Sequence, residues 1–242
     1  MTFTRYAVYY APPAEADWSR WATGWLGWDM ERGCTAPHPD VADLGLAEPG
    51  AAELGAAGLN VAEITATPRK YGLHATLKPP MRLAAGTDEG QLRAACTALA
   101  ATQPPVALAG LEIARLGRFL ALCPIGEVSA LNRLAAACVT ELDAFRARPS
   151  EAELDRRRAA GLSPQQDENL TRWGYPYVLD QFRFHITLTG KLPKAQLPRV
   201  EACLAARLAP KLPRPLILTD LALVGEAEDG RFHLLHRYAL SA

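Results

Sequence analysis

The chain states one short pattern twice. His74-Ala75-Thr76-Leu77 returns 111 residues later as His185-Ile186-Thr187-Leu188, and each copy lies in a run that reads as a β-strand, 71–78 and 182–189. Strand side chains alternate between faces, so a histidine and a threonine two positions apart project from the same side. Leu73, Ala75 and Leu77 in one run, and Phe182, Phe184, Ile186 and Leu188 in the other, make the opposite, apolar side. Each strand therefore presents an imidazole beside a hydroxyl over a core-facing surface. Two such strands brought together would surround a cleft with two of each.

The segments after the two motifs also correspond. Beyond His74 come a helical pattern over 89–101, the stop Pro104-Pro105, and strand-like runs over 106–115 and 118–123. Beyond His185 come a helical pattern over 194–208, Pro210 and Pro213, and strand-like runs over 216–225 and 231–240. The hairpin returns match as well: Gly117-Arg118-Phe119 and Gly230-Arg231-Phe232 lie at similar distances, 43 and 45 residues from motif histidine to glycine. This agreement predicts one α+β domain with two pseudo-repeated strand–helix–hairpin lobes, approximately 60–125 and 178–242, joined by a helical segment over 130–173. Ahead of the repeats, 6–10 reads as a strand. Trp18, Trp21, Trp25 and Trp28 come next at helical spacing, a pattern that predicts core packing. Residues 35–60, rich in Ala, Gly and Pro, read as loops and short turns.

Composition narrows the function classes. Twenty-six basic and 26 acidic residues cancel, which argues against long nucleic acid as the main partner. The five cysteines are scattered without metal-ligand spacing and read as buried free thiols in a reducing compartment. The N-terminus lacks a signal-peptide core, and no apolar run approaches the ~20 residues of a membrane span, so a soluble cytoplasmic protein is expected. No GxxxxGK[ST], GxGxxG, HExxH or GxSxG segment occurs, which counts against nucleotide-triphosphate, dinucleotide, zincin and serine-hydrolase chemistry.

The paired H-x-T-h motifs resemble those of the 2H phosphoesterase superfamily. The longer blocks Tyr71-Gly72-Leu73-His74-Ala75-Thr76-Leu77-Lys78-Pro79-Pro80 and Phe182-Arg183-Phe184-His185-Ile186-Thr187-Leu188-Thr189-Gly190, with Arg172 to Tyr177 ahead of the second, are similar to a bacterial branch of unknown function associated with phosphonate utilisation operons. The resemblance implies a bilobal 2H-like fold with both motifs facing a central groove. It also implies hydrolysis or transesterification of a phosphodiester, often a cyclic one, without metal or other cofactor. A cyclic ribose phosphate is the substrate that the operon association suggests. An RNA-end 2′,3′-cyclic phosphodiesterase and a non-catalytic phosphoester-binding module stand as alternatives.

The side chains suit that chemistry. Displacement at phosphorus removes a proton from the attacking water and delivers one to the leaving oxygen, and a histidine with a pKa near ~6.5 can do either. His74 and His185 are thus the candidate acid/base pair, with the two roles unassigned. Thr76 and Thr187 are candidates to donate hydrogen bonds to the non-bridging oxygens. Lys78, continuing the His74–Thr76 face, and Arg183, on the face of His185, are candidate phosphate contacts, with a solvated strand end as the alternative. Tyr71, Tyr175 and Tyr177 can stack on a base or sugar, or simply pack. His233 and His236 read as structural, His38 as a surface loop residue, and Arg156-Arg157-Arg158 as an exposed helix face.

Overall fold

Local signals set where the helices begin. The computed structural model describes residues 2–40, 44 and 60–242, so most of the stretch read as loops over 35–60 lies outside the described residues. Among the described residues the order is β1 (Arg5–Tyr10), α1 (Asp17–Leu26), α2 (Val61–Ile64), α3 (Ala66–Arg69), β2 (Ala75–Met81), α4 (Glu89–Ala101), β3 (Val106–Leu108), β4 (Gly110–Leu116), β5 (Phe119–Ile125), α5 (Ser129–Glu141), α6 (Glu151–Arg158), α7 (Pro164–Trp173), β6 (Ile186–Thr187), α8 (Leu197–Arg207), β7 (Leu216–Leu218), β8 (Asp220–Glu226) and β9 (Phe232–Ala239). Helices α4, α6 and α7 open on reciprocal capping boxes, Asp88 with Gln91, Ser150 with Glu153 and Ser163 with Gln166. Each box satisfies two main-chain amides that the first turn leaves without partners.

Seven strands form one antiparallel sheet in the order β4-β5-β6-β2-β1-β8-β9, and β3 pairs with β7 in a small second sheet. Both predicted hairpins break at equivalent places, before Gly110 and before Asp220, and the severed ends β3 and β7 find each other. The two repeats trade hairpins. Strand β2 of the first repeat reaches β8–β9 of the second through β1, while β6 of the second lies on β5 of the first. The resulting lobes meet at β2 and β6, where Ala75 is registered with Ile186. Strand β6 is shorter than the predicted run because its ladder turns irregular, with the amides of Leu188 and Thr189 both donating to the Leu120 carbonyl.

One sheet face carries the main core. Val8, Ala75, Leu77, Leu120, Leu122, Ile186 and Leu223 pack there with Leu92, Cys96 and Leu99 of α4 and Leu131, Leu134 and Cys138 of α5. Each fully buried Leu contributes about 1.5–3 kcal/mol of transfer free energy. The other face has a smaller cluster of Ala7, Tyr9, Trp28, Ala222, Val224 and Phe232, and beside it the sheet stays open. The tryptophan segment packs as its spacing predicts. Trp18, Trp25 and Trp28 are buried, Trp21 stacks on Trp25, and the Trp25 indole N–H donates to the Leu188 carbonyl at 2.8 Å, tying α1 to the second motif. All five cysteines are free; three are buried, but Cys34 is exposed. Among the described residues no helix is long and apolar enough to cross a membrane.

Candidate active site

The seam between the lobes assembles four polar groups. Pairing Ala75 with Ile186 in antiparallel register sets His74 opposite Thr187 and Thr76 opposite His185. Ala75 and Ile186 are fully buried on the helix side, so all four flanking residues share the open face. Each histidine thus faces the other strand's threonine, and the histidines lie on a diagonal, about 7–8 Å apart by sheet geometry. The repeats supply the four residues, and one registered pair supplies their order.

Both imidazoles are held alike. The Nδ1–H of His74 donates to the Gly72 carbonyl at 3.0 Å, and that of His185 to the Arg183 carbonyl at 2.8 Å. A carbonyl can only accept, so each bond fixes the proton on Nδ1 and leaves Nε2 free for chemistry. Gly72 makes the first bond feasible, because its φ of 72° lies where side chains are strained and a Cβ there would press on Met30. His74 is half-buried, stacked on Tyr9 with ring centroids 4.0 Å apart and tilted against Tyr71 at 5.7 Å. Burial pushes its pKa down to about 4; the Gly72 carbonyl opposes the shift and the like charge of His185 adds to it. His74 is therefore neutral across the physiological range.

A cleft of about 470 Å³ opens over this face, lined by His74, Thr76 and Thr187 at one side. His185 is not among the lining residues; its ring lies 6.1 Å from that of Phe119, which lines the wall. Tyr71 and Tyr175 line it too. Among the described residues the lining includes Arg5, Arg157 and Lys191 and no carboxylate. Such a wall attracts anions.

Three sequence candidates fall elsewhere. Lys78 does not continue the His74–Thr76 face. The β1–β2 register slips between Tyr9↔Thr76 and Val8↔Lys78, and this bulge turns Lys78 into the core, where it is only 2 % exposed. Its ammonium donates to the Val139 carbonyl at 2.9 Å, capping the C-terminus of α5, and lies 3.9 Å from Asp143. Burial lowers its pKa to about 8, with Asp143 opposing. Arg183 is exposed and contributes its carbonyl to the His185 ring, since 182–185 lie outside the regular strand β6. Tyr177 is 47 % exposed and touches the edge of Tyr175 instead of the cleft.

Tyr9 and Arg157 are among the cleft residues that the sequence did not single out. Tyr9 is registered with Thr76, which puts both on the cleft face; the alternation of 5–10 carries that signal once β1 is paired with β2. Arg157 leaves the face assigned to its charge run and holds its guanidinium carbon 5.0 Å from the Tyr175 ring centroid. No sequence signal separates it from Arg156, which is exposed, or from Arg158, which pairs with Asp167 at 2.7 Å.

Residues 76–233 match the family described as "Protein of unknown function (DUF1045)". The chain belongs to the DUF1045 family. Two curated relatives of this DUF1045 chain are named "Ribose 1,5-bisphosphate phosphokinase PhnN". The protein from Janthinobacterium sp. (strain Marseille) is 38% identical over 194 residues, 80% of this chain and 40% of that protein. The one from Laribacter hongkongensis (strain HLHK9) is 34% identical over 226 residues, 93% of this chain and 49% of that protein. The chain thus spans less than half the length of either. Among solved structures, E. coli LigT complexed with NADP+ overlaps all of both chains with a TM-score of 0.45 and 17% identity, a similarity too low to transfer residues or activity.

Proposed function

We propose that this DUF1045 chain is a 2H-type phosphodiesterase that hydrolyses a small phosphodiester, such as a cyclic ribose phosphate, with its own side chains as acid and base. The observation that supports the proposal is the register of the seam, which sets His74 opposite Thr187 and Thr76 opposite His185, with His74, Thr76 and Thr187 in the lining of an anion-attracting cleft. His74, kept neutral by burial, removes the proton from the attacking water through Nε2. The bound phosphodiester's own charge favours the imidazolium that forms. His185, beside the lining residue Phe119, delivers the proton to the leaving oxygen. Thr76 and Thr187 donate to the non-bridging oxygens and hold them as charge develops. The cleft volume suits a ligand of mononucleotide or sugar-phosphate size.

The relatives' name supports a ribose phosphate scaffold, but their kinase activity belongs to proteins of which this chain matches less than half. With no GxxxxGK[ST] segment here, we assign this chain no transfer from a nucleoside triphosphate. Turnover of cyclic ribose phosphates, 2′,3′-cyclic mononucleotides and cyclic-ended oligonucleotides, each with and without EDTA, tests the reading. The first class is expected to react best and to be insensitive to the chelator. His74→Asn and His185→Asn should each lower kcat by at least ~100-fold while remaining folded. Full activity in both variants would overturn the mechanism, preference for oligonucleotides would favour RNA ends, and binding without turnover would leave a recognition module.

A further inference from the structure

The cleft has a second polar end that acid/base chemistry does not use. Arg5 and Arg157 line it and also line an adjoining small cavity of about 50 Å³, whose other walls include Arg82 and Arg146. Three of these guanidinium groups already have carboxylate partners: Arg5 with Glu226, Arg82 with Glu153 and Arg146 with Asp143. Arg157 has no ion-pair partner among the described residues and rests on the face of Tyr175. One positive charge is left over.

Two buried polar atoms point the same way. The Tyr9 hydroxyl lies in a side chain with no exposure, in the cleft wall, and makes no hydrogen bond with a described residue; Arg5 and Tyr175 are within electrostatic reach of it. Arg146 Nη1 is likewise buried without a partner, beside Gly174, although Nε and Nη2 of the same side chain are bonded. Buried donors are ordinarily satisfied, and an exception in a cleft wall is open to a ligand or water. Along β1, Arg5 and Tyr9 are four residues apart, about 13 Å between Cα atoms. The cleft they share has room for a sugar-sized scaffold.

We propose that the Arg5–Arg157 end of the cleft is a second phosphate subsite, so that the substrate is a small phosphodiester carrying a separate phosphate monoester. This rests on the phosphodiesterase reading for the reaction, but not for the binding. Arg157 receives the monoester with its planar fork, Arg5 contributes charge already oriented by Glu226, and the Tyr9 hydroxyl donates the remaining bond.

The kinetic test compares a cyclic ribose phosphate with and without a 5-phosphate. The wild-type protein should favour the phosphorylated compound in kcat/KM by about 10- to 100-fold, the worth of a charge-assisted hydrogen bond, and mainly through KM. Arg157→Gln should collapse that ratio, Arg157→Lys should restore part of it, and Tyr9→Phe should reduce it. An unchanged ratio in Arg157→Gln overturns the subsite. Calorimetry with ribose 5-phosphate separates the two proposals. Binding that survives in His74→Asn but weakens about 10-fold in Arg157→Gln supports the subsite even if no phosphodiester is turned over. Dependence on His74 and not on Arg157 sinks it.

Discussion

A neutral imidazole enclosed beside Tyr9 makes folding stability depend on pH in a calculable way. The pKa of His74 falls from an ordinary 6.5 to about 4 in the folded chain, so the unfolded chain binds the proton more tightly. The folded state is fully favoured above 6.5 and loses that advantage as pH falls toward 4. Linkage gives a loss of about 2 kcal/mol between pH 7 and pH 5, and nearly 3 kcal/mol by pH 4. These are upper values, because the ring's cleft side meets solvent. His74→Asn removes the titration while its amide can still donate to the Gly72 carbonyl as Nδ1–H does. Urea unfolding of both proteins at pH 7 and pH 5 measures the difference. The variant should lose about 1–2 kcal/mol less than the wild type over that interval. Parallel losses would show that His74 is not held neutral by the fold, and the assignment of the base would go with it.

Lys78→Met should flatten stability at the alkaline end. The lysine's depressed pKa of about 8 means that the wild type gains stability as pH rises from 8 toward 10.5, and unfolding at pH 7.5 and pH 10 should differ by about 2 kcal/mol more in wild type than in the variant. Gly72→Ala forces a side chain into a left-handed conformation and against Met30, and should cost about 1–2 kcal/mol in unfolding free energy together with a drop in kcat, because the His74 ring loses its anchor. Tyr9→Phe removes a hydroxyl with no described partner, so its Tm should be no lower than wild type; a clear drop would mean that the hydroxyl is satisfied after all.

The alternation rule locates the four seam residues because the burial pattern keeps its phase just beyond the ends of β2 and β6. His74, Thr76, His185 and Thr187 obey it, and the apolar partners Ala75 and Ile186 are buried as the pattern requires. Helix α4 occupies the predicted 89–101, with a capping box at one end and the diproline stop beyond the other. Lys78 departs from expectation because a bulge changes the phase of a strand without changing its composition. Arg157 is illegible for a related reason: only the packing of α6 over the cleft distinguishes it from its charged neighbours. The hairpin exchange is equally invisible, since a repeat in sequence specifies like units and not which unit each strand pairs with.

That exchange has a consequence for any attempt to divide the protein. A polypeptide ending after β5 would keep its hairpin but lack β6, the strand that covers it, while β2 and β1 would lie beside an empty edge. A polypeptide starting after α7 would have the converse gaps. Each fragment would carry two of the four seam residues but not the strand that faces them. Co-expressed fragments would have to dock before the four seam residues came together, and the proposed hydrolysis would then report on their assembly.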